Sequence, residues 1–501
     1  MRRPGRQHRG PLRSAGASLS LWALVLLRAG PATPQVAAPT RVTAPAPPAD
    51  AHALTLAEVL EVVARQHPLI EASVQKLRQA EGKLVQAEGG FDTELVAEGG
   101  WLPHADYEHG VASVTLSQPT PFWGARLFGR WRIGRGDFPV YKEGDATAEA
   151  GEARAGIELP LLRDGPIDAR RAQLQQGRLR RDAARLGVSA LRIELRRQAA
   201  HRYWDWVAAG LKLEVERQLL QIARQRDAAL RSRVARGDLP AIEVLDNRRT
   251  ILMREGSVVR ARRKFEQSAI KLSLFLRDAS ARPVRPGLER LPAAAPPLPA
   301  PLEPRPIAED LRTALGQRPD LQQLALALAD NEVEGRLSAN QRWPRLAAIV
   351  GLGVDVGDER YRDRRSELGL GFKLEWPLLM RKASGGLLRA EARQRELQAR
   401  QRLLRDEVEA QIRDARSAIE AARQRAEAAR DEREVAHQVE AAERERLEFG
   451  AGTLLTVNLR ELAAAKADKR AIDAATTCRR ALADYEAVLA TVEATAGPGA
   501  R

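Results

Sequence analysis

The sequence predicts a duplicated, mainly α-helical protein with a membrane β part, in which long coiled helical hairpins alternate with short runs of strands. Three observations carry this. Similar phrases recur in the same order in both halves. Proline-free stretches with a seven-residue apolar repeat are too long for a compact domain. Between them lie segments whose apolar residues alternate with a period of two.

The chain starts with Arg2, Arg3, Arg6, Arg9 and Arg13 ahead of ASLSLWALVLL (17–27). A basic stretch before about 11 apolar residues is the pattern of a secretory signal and is too short to span a bilayer as a helix. Small residues Ala29, Gly30 and Ala32 put the cleavage near there, so 1–30 is assigned as signal peptide. Residues 31–53 are assigned as a Pro-rich disordered linker, since eight of the 29 prolines lie in the first 50 residues. No later run is apolar for the ~18 residues that a transmembrane helix needs.

The net charge is +15, or +9 without the six arginines of 1–30. Charges of both signs spread along the helical stretches, which fits solvated helix faces better than a nucleic-acid footprint. No nucleic-acid partner is expected. Cys478 is the only cysteine, so no internal disulfide can form. The seven histidines are scattered. There is no HExxH, Walker loop, GxSxG or dinucleotide fingerprint. No enzyme activity, cofactor or metal is therefore expected.

The first copy is assigned to 54–277. It opens with LAEVLEVVARQHPLI (56–70), within a short helix predicted over 55–89. Strands are predicted within about 91–160, from TELVAEGGW, GVASVTLSQ, ARLFGRWRI and EARAGIELP. Nine of the chain's 21 aromatic residues fall in 91–141, as expected where strands carry interfacial girdles. IELPLL (157–162) closes this region. One helix is predicted over 166–236, with Pro166 in its first turn and Ala172, Leu179, Leu186, Ile193, Ala200 and Val207 recurring every seven residues. Its length is about 105 Å at 1.5 Å per residue. GDLPAIEVL (237–245) supplies a glycine turn, and a helix returns over 240–277.

Nine prolines crowd 283–306, so 278–306 is assigned as a Pro-rich linker extended along a surface. The second copy, 307–494, repeats the plan. IAEDLRTALGQRPDL (307–321) answers the first start phrase, with Pro319 in the place of Pro68. Strands are predicted within about 343–377 from LAAIVGLGVDV and SELGLGFKLEW. In the latter Leu368, Leu370, Phe372, Leu374 and Trp376 share one face, expected to meet lipid. LEWPLL (374–379) answers IELPLL, a long helix is predicted over 385–448, GAGTLLTVN (450–458) answers the glycine turn, and a helix returns over 454–494. Residues 495–501 are assigned as a disordered tail. The start phrases are 251 residues apart and the PLL phrases 217, so the first strand region holds 34 more residues. A long loop or extra strands would both account for it.

This duplicated order of short helix, β-hairpin, PLL phrase, long helix, glycine turn and returning helix resembles the TolC-type outer membrane efflux proteins over roughly residues 54–494. The resemblance implies a homotrimer in which each chain gives four strands to a 12-stranded β-barrel and helical hairpins to a periplasmic α-barrel. It implies a location in the cell outer membrane with a periplasmic tunnel, and contact with outer membrane lipid. It implies a passive exit duct for a tripartite efflux or type I secretion system, working with a periplasmic adaptor (membrane fusion) protein and an inner membrane pump. Pro160 and Pro377 would mark the barrel-to-tunnel junctions. Gly237, Leu239, Gly450 and Thr453 would form the tip that docks the adaptor. The family's acidic constriction maps to Glu243 and Asp246 in the first copy, with Arg248 and Arg249 to offset the charge. In the second copy the same positions are Thr456 and Leu459, a departure from the family pattern. The competing reading is a periplasmic coiled-coil structural or adaptor protein without a membrane barrel.

Overall fold

A computed structural model describes residues 52–490 except 105, 294–296, 304 and 358–365. The assigned signal peptide, nearly all of the linker that follows it and the C-terminal tail lie outside the described residues.

The start phrase does not make one helix. It makes α1 (Leu56–Gln66) and α2 (Pro68–Glu88), broken at His67, whose ψ is 123°. The second copy breaks identically into α5 (Ile307–Gln317) and α6 (Pro319–Asn340) at Arg318, whose ψ is 119°. The cause is the paired proline. Its ring forces the preceding residue out of the helical region and then starts a new helix at N1.

Six strands follow the sequence runs: β1 (Glu94–Leu102), β2 (His109–Pro119), β3 (Arg126–Gly136), β4 (Glu152–Pro160), β5 (Arg345–Asp355) and β6 (Ser366–Glu375). They form one antiparallel sheet in the order β1-β2-β3-β4-β5-β6. The four strands per chain implied by the family resemblance are thus corrected to six. The 34 extra residues of the first copy are accounted for by a further hairpin rather than a loop.

The long helices are α3 (Ala169–Ala235) and α7 (Arg381–Glu448), of 67 and 68 residues. Each is about 100 Å long. Asp168 caps α3, its carboxylate accepting from the Arg171 amide at 2.8 Å. The returning helices are α4 (Ile242–Leu272) and α8 (Leu454–Leu489). Towards the sheet, α2 packs on α3, α3 on α6 and α6 on α7; towards the turns, α4 packs on α3, α3 on α8 and α8 on α7. The short and returning helices meet where the His67 ring lies 5.4 Å from that of Phe275. The wall is therefore four helices wide at both levels.

The largest core lies at that meeting point. Leu54, Val59 and Val63 pack on Tyr203, Trp206 and Leu213 of α3 and on Phe265 and Leu272 of α4. Burying each large apolar side chain stabilises by about 1.5–3 kcal/mol. The proline-rich linker packs on this core and, with α1 and α5, forms a belt along the wall. Leu291 packs against the core, and Leu298 and Leu302 cover a second cluster around Ile419 and Cys478. Leu54 and Arg290 join by a backbone hydrogen bond of 2.8 Å.

Candidate functional site

The sheet has two chemically distinct faces because the register aligns the alternation of all six strands. Trp101, Leu95 and Ala97 of β1 stand opposite Gly110, Leu116 and Val114 of β2, and Val114 opposite Trp131 of β3. Ala153, Ala155 and Ile157 of β4 continue the row to Val354, Leu352 and Val350 of β5, and the last two meet Leu368 and Leu370 of β6. This face is apolar across every strand and is bare: Leu370 is 74% and Phe372 78% exposed. Leu368 and Leu374 share it, and Trp376 lies just past the end of β6, also exposed.

The opposite face carries charge. Arg132 bonds Glu152 at 2.8 Å, Arg154 bonds Glu152 at 2.6 Å and Glu367 at 3.4 Å, and Glu158 receives both Arg126 and Arg345. The directly opposed pairs Arg132–Glu152 and Arg126–Glu158, between β3 and β4, favour this strand order and register. Exposed aromatic residues mark both ends of the apolar band. Phe122, Trp123, Trp343 and Trp376 lie at the helix end, and Trp101, Tyr107 and Tyr141 at the far end. All residues of β1 and β6, the edges of the sheet, are exposed.

The two PLL phrases occupy equivalent transitions. Pro160 is the last residue of β4, still paired with Ala347, and α3 starts at Ala169. Pro377 follows β6, and α7 starts at Arg381. The first junction also receives the turn between β2 and β3. Trp123 and Gly124 have φ of 50° and 67°, and the Ala125 amide donates to the Phe122 carbonyl at 3.0 Å. Positive φ at both central residues suits the right-handed twist of a hairpin. The Trp123 indole donates to the Pro160 carbonyl at 3.0 Å. A Cβ on Gly124 would sit 2.5 Å from the Asp164 carbonyl oxygen. Asp164 is half-buried, and burial pushes its carboxyl above the usual range.

At the other end both hairpins turn by the same device. Gly237 and Gly450 have φ of 77° and 75°, and neither Cβ would meet an atom within 4 Å. The Asp238 amide donates to Arg233 and that of Ala451 to Arg446, both at 2.9 Å. Glycine stands at these two positions for its backbone freedom, as a helix stop. Leu239 lies in the first turn. Thr453 caps α8 in a reciprocal pair with Thr456, and Thr456 also donates to Glu443 at 3.0 Å.

Of the four charged residues expected near a constriction, Asp246 and Arg249 pair with each other along α4 at 3.1 Å. Glu243 is half-buried and Arg248 exposed. Other residues tie the two hairpins of this chain together near the turns. Glu461 of α8, 1% exposed, accepts from Arg226 of α3 and, at 3.0 Å, from Arg254 of α4. Arg226 also bonds Asn458 at 2.5 Å, and Arg254 bonds the Leu219 carbonyl at 2.5 Å. Asn247 bonds the Ala223 carbonyl and Asp227, both at 3.2 Å. Sequence reasoning did not single out this cluster. Its trace is a charge inside an apolar seam: Val457, Glu461, Ala464 and Ala465 form one buried row. Among the described residues no His, Cys, Asp and Glu group could hold a metal ion. No helix among the described residues is long and apolar enough to cross a membrane.

No protein-family model and no curated protein matches the chain. Solved structures do. A membrane protein from Pseudomonas aeruginosa is 16% identical, with a TM-score of 0.61, over 91% of this chain and 99% of its own. The Campylobacter jejuni CmeC outer membrane channel is 13% identical, with a TM-score of 0.60, over 87% and 85%. The open state of the Neisseria gonorrhoeae MtrE outer membrane channel is 14% identical, with a TM-score of 0.58, over 87% and 88%.

Proposed function

We propose that this chain, which has the fold of TolC-type outer membrane channels, is itself an outer membrane channel: a passive exit duct with its sheet in the membrane and its helices in the periplasm. The observation that supports this most is the sheet. It presents an unbroken apolar face, aromatic residues at both ends and two unpaired edges, next to helices about 100 Å long. In water such a face would be an aggregation site; in a bilayer it is the lipid face of a barrel. Leu368, Leu370, Phe372, Leu374 and Trp376 meet lipid in this reading, and the charged face lines the lumen.

One chain cannot close either tube. Three copies joined β6 to β1 give eighteen strands, not twelve, and a twelve-helix wall. The belt of α1, α5 and the linker adds a second layer on one side of that wall, which must be the outside, because inside it would block the bore. The tip, with Gly237, Leu239, Gly450 and Thr453, docks a periplasmic adaptor fed by an inner membrane pump. Glu461 with Arg226 and Arg254 holds the hairpins together there, and Glu243, Asp246, Arg248 and Arg249 lie closer to the opening.

Cell fractionation and gel migration test the membrane assignment. The protein is expected in the outer membrane, with migration that changes on heating as a folded barrel opens. Recovery in the soluble periplasmic fraction would favour a coiled-coil protein without a barrel.

A further inference from the structure

We propose that a groove in the middle of the helical wall is a binding site for small multivalent anions, such as phosphate- or sulfate-bearing compounds. The groove lies between α4 and α8 with α3 as its floor and has a volume of about 490 Å³, within the usual range of small-molecule sites.

Its charges do not balance. The acids that line it are Asp205, Glu216 and Asp473, and each is already held by a cation: Asp205 by Arg480, Glu216 by Lys469 at 2.5 Å, and Asp473 by Lys212. Arg260, Lys264 and Lys271 of α4 remain, exposed on the groove wall. At spacings of four and seven residues they share one helix face. Arg260 bonds the Ser257 hydroxyl at 2.8 Å. Arg202, 3.9 Å from the same Asp205 that Arg480 holds, completes the cationic side. Burial, and to a lesser degree the nearby Arg202, hold the Arg480 guanidinium below its ordinary pKa. Cations collected in a concave wall reinforce one another's field and concentrate anions there. Lysine ammonium groups bind phosphate as point charges and need no fixed approach angle.

The groove also faces away from the belt. Tyr203 and Trp206 of α3 turn to the belt core, whereas Asp205, Lys212 and Glu216 turn to the groove. On the duct reading, on which this part rests, the groove opens into the bore and the cargo class is anionic.

The test uses the full-length protein purified in detergent, with tripolyphosphate as probe. Calorimetry should show saturable binding of about one tripolyphosphate per chain that weakens with salt. A Lys264→Gln/Lys271→Gln variant should bind at least about tenfold more weakly. Arg262→Gln/Arg263→Gln removes the same charge from α4 beside the groove and should bind as the wild type does. No saturable binding, or equal weakening in both variants, would overturn the proposal. Circular dichroism checks that the exposed substitutions leave the helices intact. In planar bilayers the probe should also block the wild-type current. Binding without any conductance would count against the duct reading alone, and conductance without binding against the groove alone.

Discussion

Replacing Glu461 by alanine removes a buried carboxylate that joins the two helical hairpins towards the tip. It leaves Arg226 and Arg254 facing each other with side chains 14% and 10% exposed. Breaking a buried ion pair by deleting one partner costs about 3–5 kcal/mol, because the remaining charge has lost its compensation. Arg254 keeps the Leu219 carbonyl and Arg226 keeps Asn458, which puts this case at the low end. Arg444 lies 3.8 Å from Glu461 but is 47% exposed, and its loss adds little. A cost of about 3 kcal/mol is roughly a hundredfold in an equilibrium constant. If the closed tip needs this contact and an open tip frees both arginines to water, Glu461→Ala shifts each chain towards opening by up to about that factor. Single-channel recordings should show a higher open probability, and Glu461→Gln, which keeps an acceptor oxygen, a smaller rise. Glu243→Ala/Asp246→Ala removes carboxylates that are only partly buried and should act more weakly within a chain. An intact assembly of Glu461→Ala with wild-type open probability would refute the reasoning.

Other predictions concern the sheet, the junction and pH. Leu370→Arg puts a charge on the bare apolar face at a cost of about 2–4 kcal/mol near a bilayer midplane; it should reduce the folded form seen by gel migration, whereas Gly371→Ser, on the opposite face with Ile349 Cβ 3.9 Å away, should not. Gly124→Val puts a branched side chain at φ of 67° against the Asp164 carbonyl, and the αL penalty alone is about 1–2 kcal/mol; the midpoint of heat modification should fall, and an unchanged midpoint would mean the turn is free of the junction. Burial holds His67 and His201 below the ordinary histidine pKa of 6.5, aided by Arg277 at the first and by Arg197 and Arg480 at the second, with Asp484 opposing. The unfolded chain therefore takes up these protons first as pH falls: the stability is complete above 6.5 and is lost on acidification through the folded values. The thermal midpoint should drop between about pH 7.5 and about pH 5, and drop less in His67→Asn/His201→Gln.

Much of this was legible in the residues themselves. The seven-residue repeat of Ala172 to Val207 gave α3, and every strand run of alternating residues became a strand. The error came from the family resemblance, which implied four strands where the alternation already supplied six. The helix break at His67 was written in Pro68 and its counterpart Pro319, yet the amphipathic pattern runs through both. The linker's packing was not legible, because Leu291, Leu298 and Leu302 look like spacers between prolines until their partners are known. Glu461 and Arg226 are 235 residues apart, and no local pattern brings them together. Their only trace was a carboxylate in a row of buried alanines.

Electron cryo-microscopy of the protein purified in detergent tests the central claim most directly. Three copies should enclose a continuous bore, with β6 of each chain paired to β1 of the next. An eighteen-stranded barrel would be about 36 Å across, against about 24 Å for twelve strands, at 4.8 Å between strands and a tilt near 40°. A monomer or dimer with an open sheet, or a trimer whose barrel closes without β1 and β2, would contradict the account.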